Sequence, residues 1–244
     1  MATTPSGAGV RIAMWSGPRT VSTALMRSWG SRRDCHVVDE PFYAYYLNRT
    51  GLRHPGRKEI LAAQPDDWRD VVTALTAEPL PSAWSISYQK QMAHHVLPEV
   101  DLSTMDGLRH AFLIRQPDEV LASYAKVRGR PTLADLGLPQ QLALFERFGG
   151  PVVDARDLLR APEAILGRLC AALGVPYDPA MLTWKPGPRA TDGVWGEHWY
   201  GTVWASTGFA RPRPSTAGVP VELHALSQQC RAYYETMAEH RLTA

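Results

Sequence analysis

The chain reads as one α/β domain built on a central parallel sheet of about four to five strands flanked by helices. Short apolar runs alternate with apolar-periodic helical stretches from the beginning, and the connections between them are polar and marked by Gly and Pro. A length of 244 residues allows one substantial core. With 45% hydrophobic and 20% charged residues, the composition is that of an ordinary soluble globular protein. Residues 1–244 are taken as a single unit, with Met1 to Gly9 a flexible N-terminal stretch.

Val10 to Trp15 is the first strand, followed by a loop and a helix from about Val21 to Gly30. His36-Val37-Val38 is a short second strand ending at Asp39-Glu40-Pro41, and Phe42 to Leu47 starts a helix. Arg49 to Pro65 is polar, Gly/Pro-marked and expected to be mobile, whereas Asp66 to Ala77 has a capping residue and helical spacing. Trp84 to Tyr88 is expected as the third strand, with a helix from Gln89 to Leu97. His110 to Ile114, apolar after its first residue and flanked by Arg109 and Arg115, is the clearest buried strand. Pro117-Asp118-Glu119 opens a helix through Lys126, with proline and acids where a first turn favours them. Gln140 to Phe148 is helical, Pro151 to Val153 is a last strand, and Ala161 to Leu173 is a helix stopped by Gly174 and Pro176. Thr183 to Ser215 is rich in Gly, Pro, Trp and Arg and reads as an irregular binding region or lid, before a final helix from about Val219 to Arg241.

A net charge of +2 provides no broad basic surface, which argues against nucleic acid as the main partner. Cys35, Cys170 and Cys230 are widely spaced, without a disulfide framework or metal-ligand pairing, so a reducing cytoplasm and no metal are expected. Neither a signal peptide nor a membrane-spanning run is evident. A homo-oligomer stays open.

Chemistry enters at the first loop. Ser16-Gly17-Pro18-Arg19-Thr20-Val21-Ser22-Thr23 joins a strand to a helix N-terminus, where unpaired N–H groups and the helix dipole favour an anion. Arg19 adds a permanent charge, and Thr20, Ser22 and Thr23 add hydroxyls. The loop lacks the second glycine and the lysine of the nucleoside-triphosphate G-x-x-x-x-G-K-[ST] pattern, so it suits a smaller terminal anion held without metal. Arg115 leaves a parallel strand where such sheets bind ligands, and Ser123 follows eight positions later in the next helix. Taken alone, that pair reads more simply as a helix-adjacent surface charge and a packing residue.

Together the two segments resemble the cytosolic-type sulfotransferases that use 3′-phosphoadenosine 5′-phosphosulfate (PAPS). In that family a loop of the P-[KR]-[ST]-x-[ST]-T type grips the 5′-phosphosulfate, and an Arg with a Ser eight residues later binds the 3′-phosphate. Pro18 to Thr23 and Arg115 to Ser123 match, with Val21 where the eukaryotic form has Gly. A third segment, Pro151 to Glu163 running on to Leu173-Gly174-Val175-Pro176, is similar to the family's strand, Asp-Leu-Leu turn and Pro-Glu helix start. The resemblance spans roughly Arg11 to Asp178 and implies a P-loop-like sulfotransferase fold. It implies a donor site made of Gly17, Pro18, Arg19, Thr20, Val21, Ser22, Thr23, Arg115 and Ser123, transfer of a sulfuryl group to a hydroxyl of a small molecule, and adenosine 3′,5′-bisphosphate (PAP) as product.

Arg19 is then the group at the leaving oxygen. A general base is required: Glu40, at the sheet edge, is the first candidate, with an N-cap or an ion pair with an Arg of the next helix as its structural alternative. His94 and His95 compete, because Lys90 to Pro98 loosely resembles the family's Lys-x-His segment. The family also closes a late basic loop over the 3′-phosphate, which makes Lys185 and Arg189, or Arg211 and Arg213, candidates. Two other readings remain: a P-loop small-metabolite kinase using ATP, and a non-catalytic nucleotide-binding protein.

Overall fold

The computed structural model describes residues 9–128, 130–211 and 218–244. Residues 1–8 of the expected N-terminal stretch, and Arg213, lie outside the described residues. Five parallel strands, β1 (Val10–Ser16), β2 (Cys35–Asp39), β3 (Ile86–Met92), β4 (Arg109–Ile114) and β5 (Val152–Asp154), form one sheet in the order β2-β3-β1-β4-β5. Between and after them run α1 (Ser22–Trp29), α2 (Tyr43–Thr50), α3 (Arg57–Ala63), α4 (Trp68–Thr76), α5 (Pro117–Arg128), α6 (Leu133–Leu136), α7 (Leu138–Phe148), α8 (Ala155–Arg160), α9 (Pro162–Ala172), α10 (Gly196–Trp199), α11 (Gly201–Trp204) and α12 (His224–Ala238).

Both faces of the sheet are covered, which is why β1 is apolar at nearly every position rather than alternating. Ile12 and Met14 face one side and join a cluster with Leu25 and Trp29 of α1 and Leu166 and Leu169 of α9. Ala13 and Trp15 face the other, with Val71 and Leu75 of α4, Leu144 of α7 and Met237 of α12. Among the described residues no helix is long and apolar enough to cross a membrane.

Several expectations are corrected. The third strand runs on to Met92 where a helix from Gln89 was expected, and Ala93–His95 forms one 3-10 turn. Gln89, Lys90 and Gln91 look like a solvated helix face, yet all three are buried and hydrogen-bonded. The supposedly mobile Arg49–Pro65 stretch contains α3, pinned by fully buried Ile60. The Asp-Leu-Leu turn is helix α8, capped when Asp154 accepts from the Arg156 amide at 2.7 Å. The late aromatic stretch contains α10 and α11, and the last helix starts at His224 after a 3-10 turn.

Parallel topology brings the C-terminal strand ends together, and the chain reverses its direction of travel across the sheet beside β1, where open α/β sheets form a binding crevice. Gln141 of α7 ties this edge: its amide donates to Trp15 O at 3.1 Å and to Leu113 O at 2.9 Å. Gln141→Leu keeps the volume but removes both buried donors. It should lower unfolding free energy by about 1–3 kcal/mol, the range for buried polar groups left unsatisfied, as read by urea denaturation.

Candidate active site

The loop after β1 is shaped by close packing and by strained backbone. A Cβ on Gly17 would lie 2.5 Å from Leu136 O, so only glycine fits. Thr20 Oγ1 donates to Gly17 O at 2.8 Å and closes the turn. Among the described residues, Arg19 (φ 62°), Val21 (φ 63°) and Glu40 (φ 41°) are the non-glycine residues with positive φ. All three belong to the site, each at a cost of order 1–3 kcal/mol. Val21 thus adopts the left-handed conformation that the eukaryotic glycine would take easily. It also occupies the N-cap of α1 without any side-chain cap, leaving the first-turn N–H groups of that helix to the loop. Ser22 is buried there, Thr23 half-buried, and Pro18 forms the partly exposed rim.

Arg115 and Ser123 meet this loop across about a hundred residues of sequence. Arg19 Nε donates to Ser123 Oγ at 3.0 Å, and Arg115 Nη1 donates to Arg19 O at 2.8 Å. Glu119 sits between Arg115 and Arg156, at 2.9 and 2.8 Å. Burial and the neighbouring charge of Arg115 hold Arg19 below the usual arginine range. Glu119 is thus shared by two guanidinium groups, while Arg19, hydrogen-bonded to Ser123, has no carboxylate partner among the described contacts. A groove of about 590 Å³ opens at the ends of β4 and β5, lined in part by Gln116, Asp154, Arg156 and Tyr234; none of the loop residues lines it.

The second half of the site is a buried ionic cluster. Parallel pairing of β2 with β3 sets Asp39 opposite Lys90, and the left-handed turn at Glu40 brings its carboxylate to the same ammonium. Lys90 Nζ donates to Asp39 Oδ1 at 2.9 Å, Glu40 Oε1 at 2.5 Å and Tyr200 OH at 2.8 Å. All three of its protons are used. Burial opposes the charge on Lys90, but attraction to the two carboxylates raises it above the ordinary lysine range. Burial raises Glu40 above the usual carboxylate range, with Lys90 pulling down and Asp39 pushing up. Neither alternative for Glu40 is realised: Phe42 takes the cap position of α2, and the ion pair Glu40 makes is with Lys90 of β3 instead of an arginine of the next helix.

Glu40 Oε2 lies 4.0 Å from His95 Nδ1. The His95 ring is sandwiched between Tyr43 and Tyr46, with centroids at 4.6 and 4.7 Å, and is 4.4 Å from that of His94. Burial, then His94, His54 and Lys90, push His95 well below its ordinary value. A Cβ on Gly137 would stand 3.2 Å from His94 Cβ, and the preceding residue, Leu136, covers Gly17. One turn therefore separates the anion loop from the histidines.

The late basic residues go elsewhere. Arg189 Nη1 donates to Gly30 O at 3.0 Å, at the far end of α1 from the loop, and Lys185 is exposed on the same segment. That segment is strapped down by buried Arg27–Asp192 at 2.6 Å and by Gly193 N donating to Asp39 Oδ2 at 3.1 Å. The expected lid is thus a packed wall on the β2 side. Sequence reasoning missed Asp39 and Lys90 as site residues; Trp195 and Tyr200 fall in the late aromatic stretch read as a binding region, but nothing in the sequence ties them to Asp39 and Lys90. Period-two placement of Ile86, Tyr88 and Met92 was the available signal that β3 carries Lys90 inward.

A sequence model of the family described as "Sulfotransferase domain" matches residues 10–241. Two Arabidopsis thaliana proteins, named branched-chain-amino-acid aminotransferase-like protein 1 and 2, are 35% and 33% identical over 234 residues. The alignments cover 94% of this chain but 42% and 41% of theirs, so the chain spans about two fifths of the length of these relatives. Among solved structures, a sulfotransferase from Alicyclobacillus acidocaldarius superposes with a TM-score of 0.56 at 13% identity, covering 96% of this chain and 98% of that one. The sulfotransferase domain from the curacin biosynthetic pathway does so at 0.50 and 15%, covering 98% and 100%. These two likenesses establish the shared fold.

The lowered basicity of His95 has a consequence for stability. Below about pH 6.5 the unfolded chain takes up a proton that folded His95 refuses, so this residue's contribution falls with pH at up to about 1.4 kcal/mol per unit until the folded value is reached. His95→Gln should therefore gain stability relative to the parent protein as pH drops from 7 toward 5, by urea unfolding at each pH. A constant difference would contradict the buried, neutral imidazole.

Proposed function

The chain belongs to the sulfotransferase domain family, and we propose that it transfers a sulfuryl group from PAPS to a hydroxyl of a small-molecule acceptor by in-line displacement. The observation that carries this reading is the convergence of Arg19, Arg115 and Ser123 on one helix N-terminus. An arginine and a serine placed beside the anion loop suit a ligand with a second phosphate on the same nucleotide. The Gly17 cradle, the uncapped first turn of α1 and the surplus of guanidinium charge fit a phosphosulfate end.

The donor supplies the sulfuryl group and carries away the bridging oxygen. Arg19 compensates the charge that grows on that oxygen and, being permanently protonated, acts as an electrostatic clamp and not as an acid. Glu40 takes the proton from the acceptor hydroxyl as its oxygen forms the new S–O bond. Its Oε1 is engaged by Lys90, which leaves Oε2, on the histidine side, as the accepting atom. His94 and His95 wall that side with Tyr43 and Tyr46, and compete with Glu40 as base. Cys35, Cys170 and Cys230 are free and buried, which supports a reducing, cytoplasmic setting.

Calorimetric titration separates this reading from the ATP-dependent kinase. PAP should bind more tightly than AMP or ATP with magnesium, and Arg115→Ala or Ser123→Ala should cut PAP affinity about ten- to a hundredfold, as expected for charge-assisted hydrogen bonds, while sparing AMP. Preference for ATP with magnesium would overturn it. With a sulfated product assayed from PAPS, Arg19→Ala should lose about 10²–10³ in kcat at unchanged secondary structure.

A further inference from the structure

The chamber behind Glu40 holds two carboxylates and one ammonium, so one negative charge is in surplus, and the geometry decides which carboxylate keeps it. Asp39 is fully served: Oδ1 accepts from Lys90, and Oδ2 accepts from Tyr200 OH at 2.7 Å and from Gly193 N at 3.1 Å. Glu40 receives Lys90 alone at a short distance, since Tyr200 OH stands 3.5 Å from it. A phenol has one proton, and here it is directed at Asp39. Its oxygen accepts from Lys90 and from Trp195 Nε1 at 2.9 Å, so its bonding capacity is full. Tyr200 lies between α10 and α11, 160 residues beyond Glu40 in sequence. The late segment thereby reaches into the acid–base centre.

We propose that Asp39 and Tyr200 are positioning residues that decide, through their shared hold on Lys90, how readily Glu40 takes up a proton. Asp39 draws the ammonium away from Glu40 and adds a negative charge beside it; Tyr200 satisfies Asp39 and so releases Lys90 toward Glu40. The groups facing the Glu40 carboxylate are Asp39 from β2, Lys90 from β3, His95 from the 3-10 turn after β3, and Tyr200. Tyr43 N and Gln64 Nε2 reach only as far as its backbone carbonyl. His95, held neutral, leaves the balance to the other three. The proposal rests on Glu40 as the base for sulfuryl transfer, but its first measurement needs no turnover.

Glu40 is titrated by difference infrared spectroscopy in the nucleotide-free protein, its protonated-carboxyl band being the one lost in Glu40→Gln. Tyr200→Phe should move the midpoint up and Asp39→Asn should move it down, each by about one pH unit, the scale for an adjacent charge or charge-assisted bond. The acid limb of the kcat/KM profile should shift in the same two directions. If the infrared midpoints separate as stated while the kinetic limb stays put, the positioning network stands and Glu40 is not the base. If both variants leave the midpoint in place, or move it the same way, the proposal is overturned. Should Tyr200→Phe fail to fold by near-ultraviolet circular dichroism, Trp195→Phe removes only the indole donor to the phenol. It should raise the midpoint by a smaller amount, and no rise would count against the network.

Discussion

Lys90 is almost completely buried at the C-terminal end of β3, and its ammonium binds Asp39, Glu40 and Tyr200 at once. A buried charge of this kind survives only when paired and hydrogen-bonded, because removing one partner leaves an uncompensated ion in a low-dielectric interior. Edge strand β2, its inner neighbour β3 and the late aromatic segment therefore have to meet at this nitrogen. Gly193 N and Tyr200 bring the late segment in, while Arg27 and Asp192 fasten the same segment to α1, the helix that carries the anion loop. The ionic cluster and the loop are in this way built on one framework.

Strain is concentrated where that framework meets the chemistry. Arg19, Val21 and Glu40 hold a backbone conformation that L-residues rarely adopt. The surrounding contacts compel it: Gly17 is pressed on Leu136, Arg115 grips the Arg19 carbonyl, and Glu40 N donates to Lys90 O at 2.9 Å. The turn at Leu136 and Gly137 touches the loop on one side and His94 on the other, so a shift in either half of the site is felt by the other. Preorganisation of this type fits sulfuryl transfer, in which placed charge does the work and no covalent enzyme intermediate is required.

Much of the fold was legible because its signals are local. The existence of five strands, the Pro117 and Pro162 helix starts and the Gly174 stop follow from period, propensity and capping. The anion-loop half of the candidate site was legible for the same reason, as Gly17 to Thr23, Arg115 and Ser123 form short patterns with fixed spacing. Where local rules failed, tertiary partners had overridden them. Gln89-Lys90-Gln91 reads as a solvated surface until Leu75 O, Asp39 and Glu40 are brought to it. Lys185 and Arg189 read as a basic lid until Gly30 O is found under Arg189.

The sequence by itself determined the parallel α/β sheet, the loop leading into α1, and the spacing of Arg115 and Ser123, since each depends on residues close together in the chain. Only the tertiary structure decided that Asp39 and Glu40 share Lys90, that Tyr200 donates to Asp39, and that the late segment is a packed wall. Those pairings join residues tens to more than a hundred and fifty positions apart. Their strength comes from burial, and burial is a property of the assembled core that no local pattern encodes.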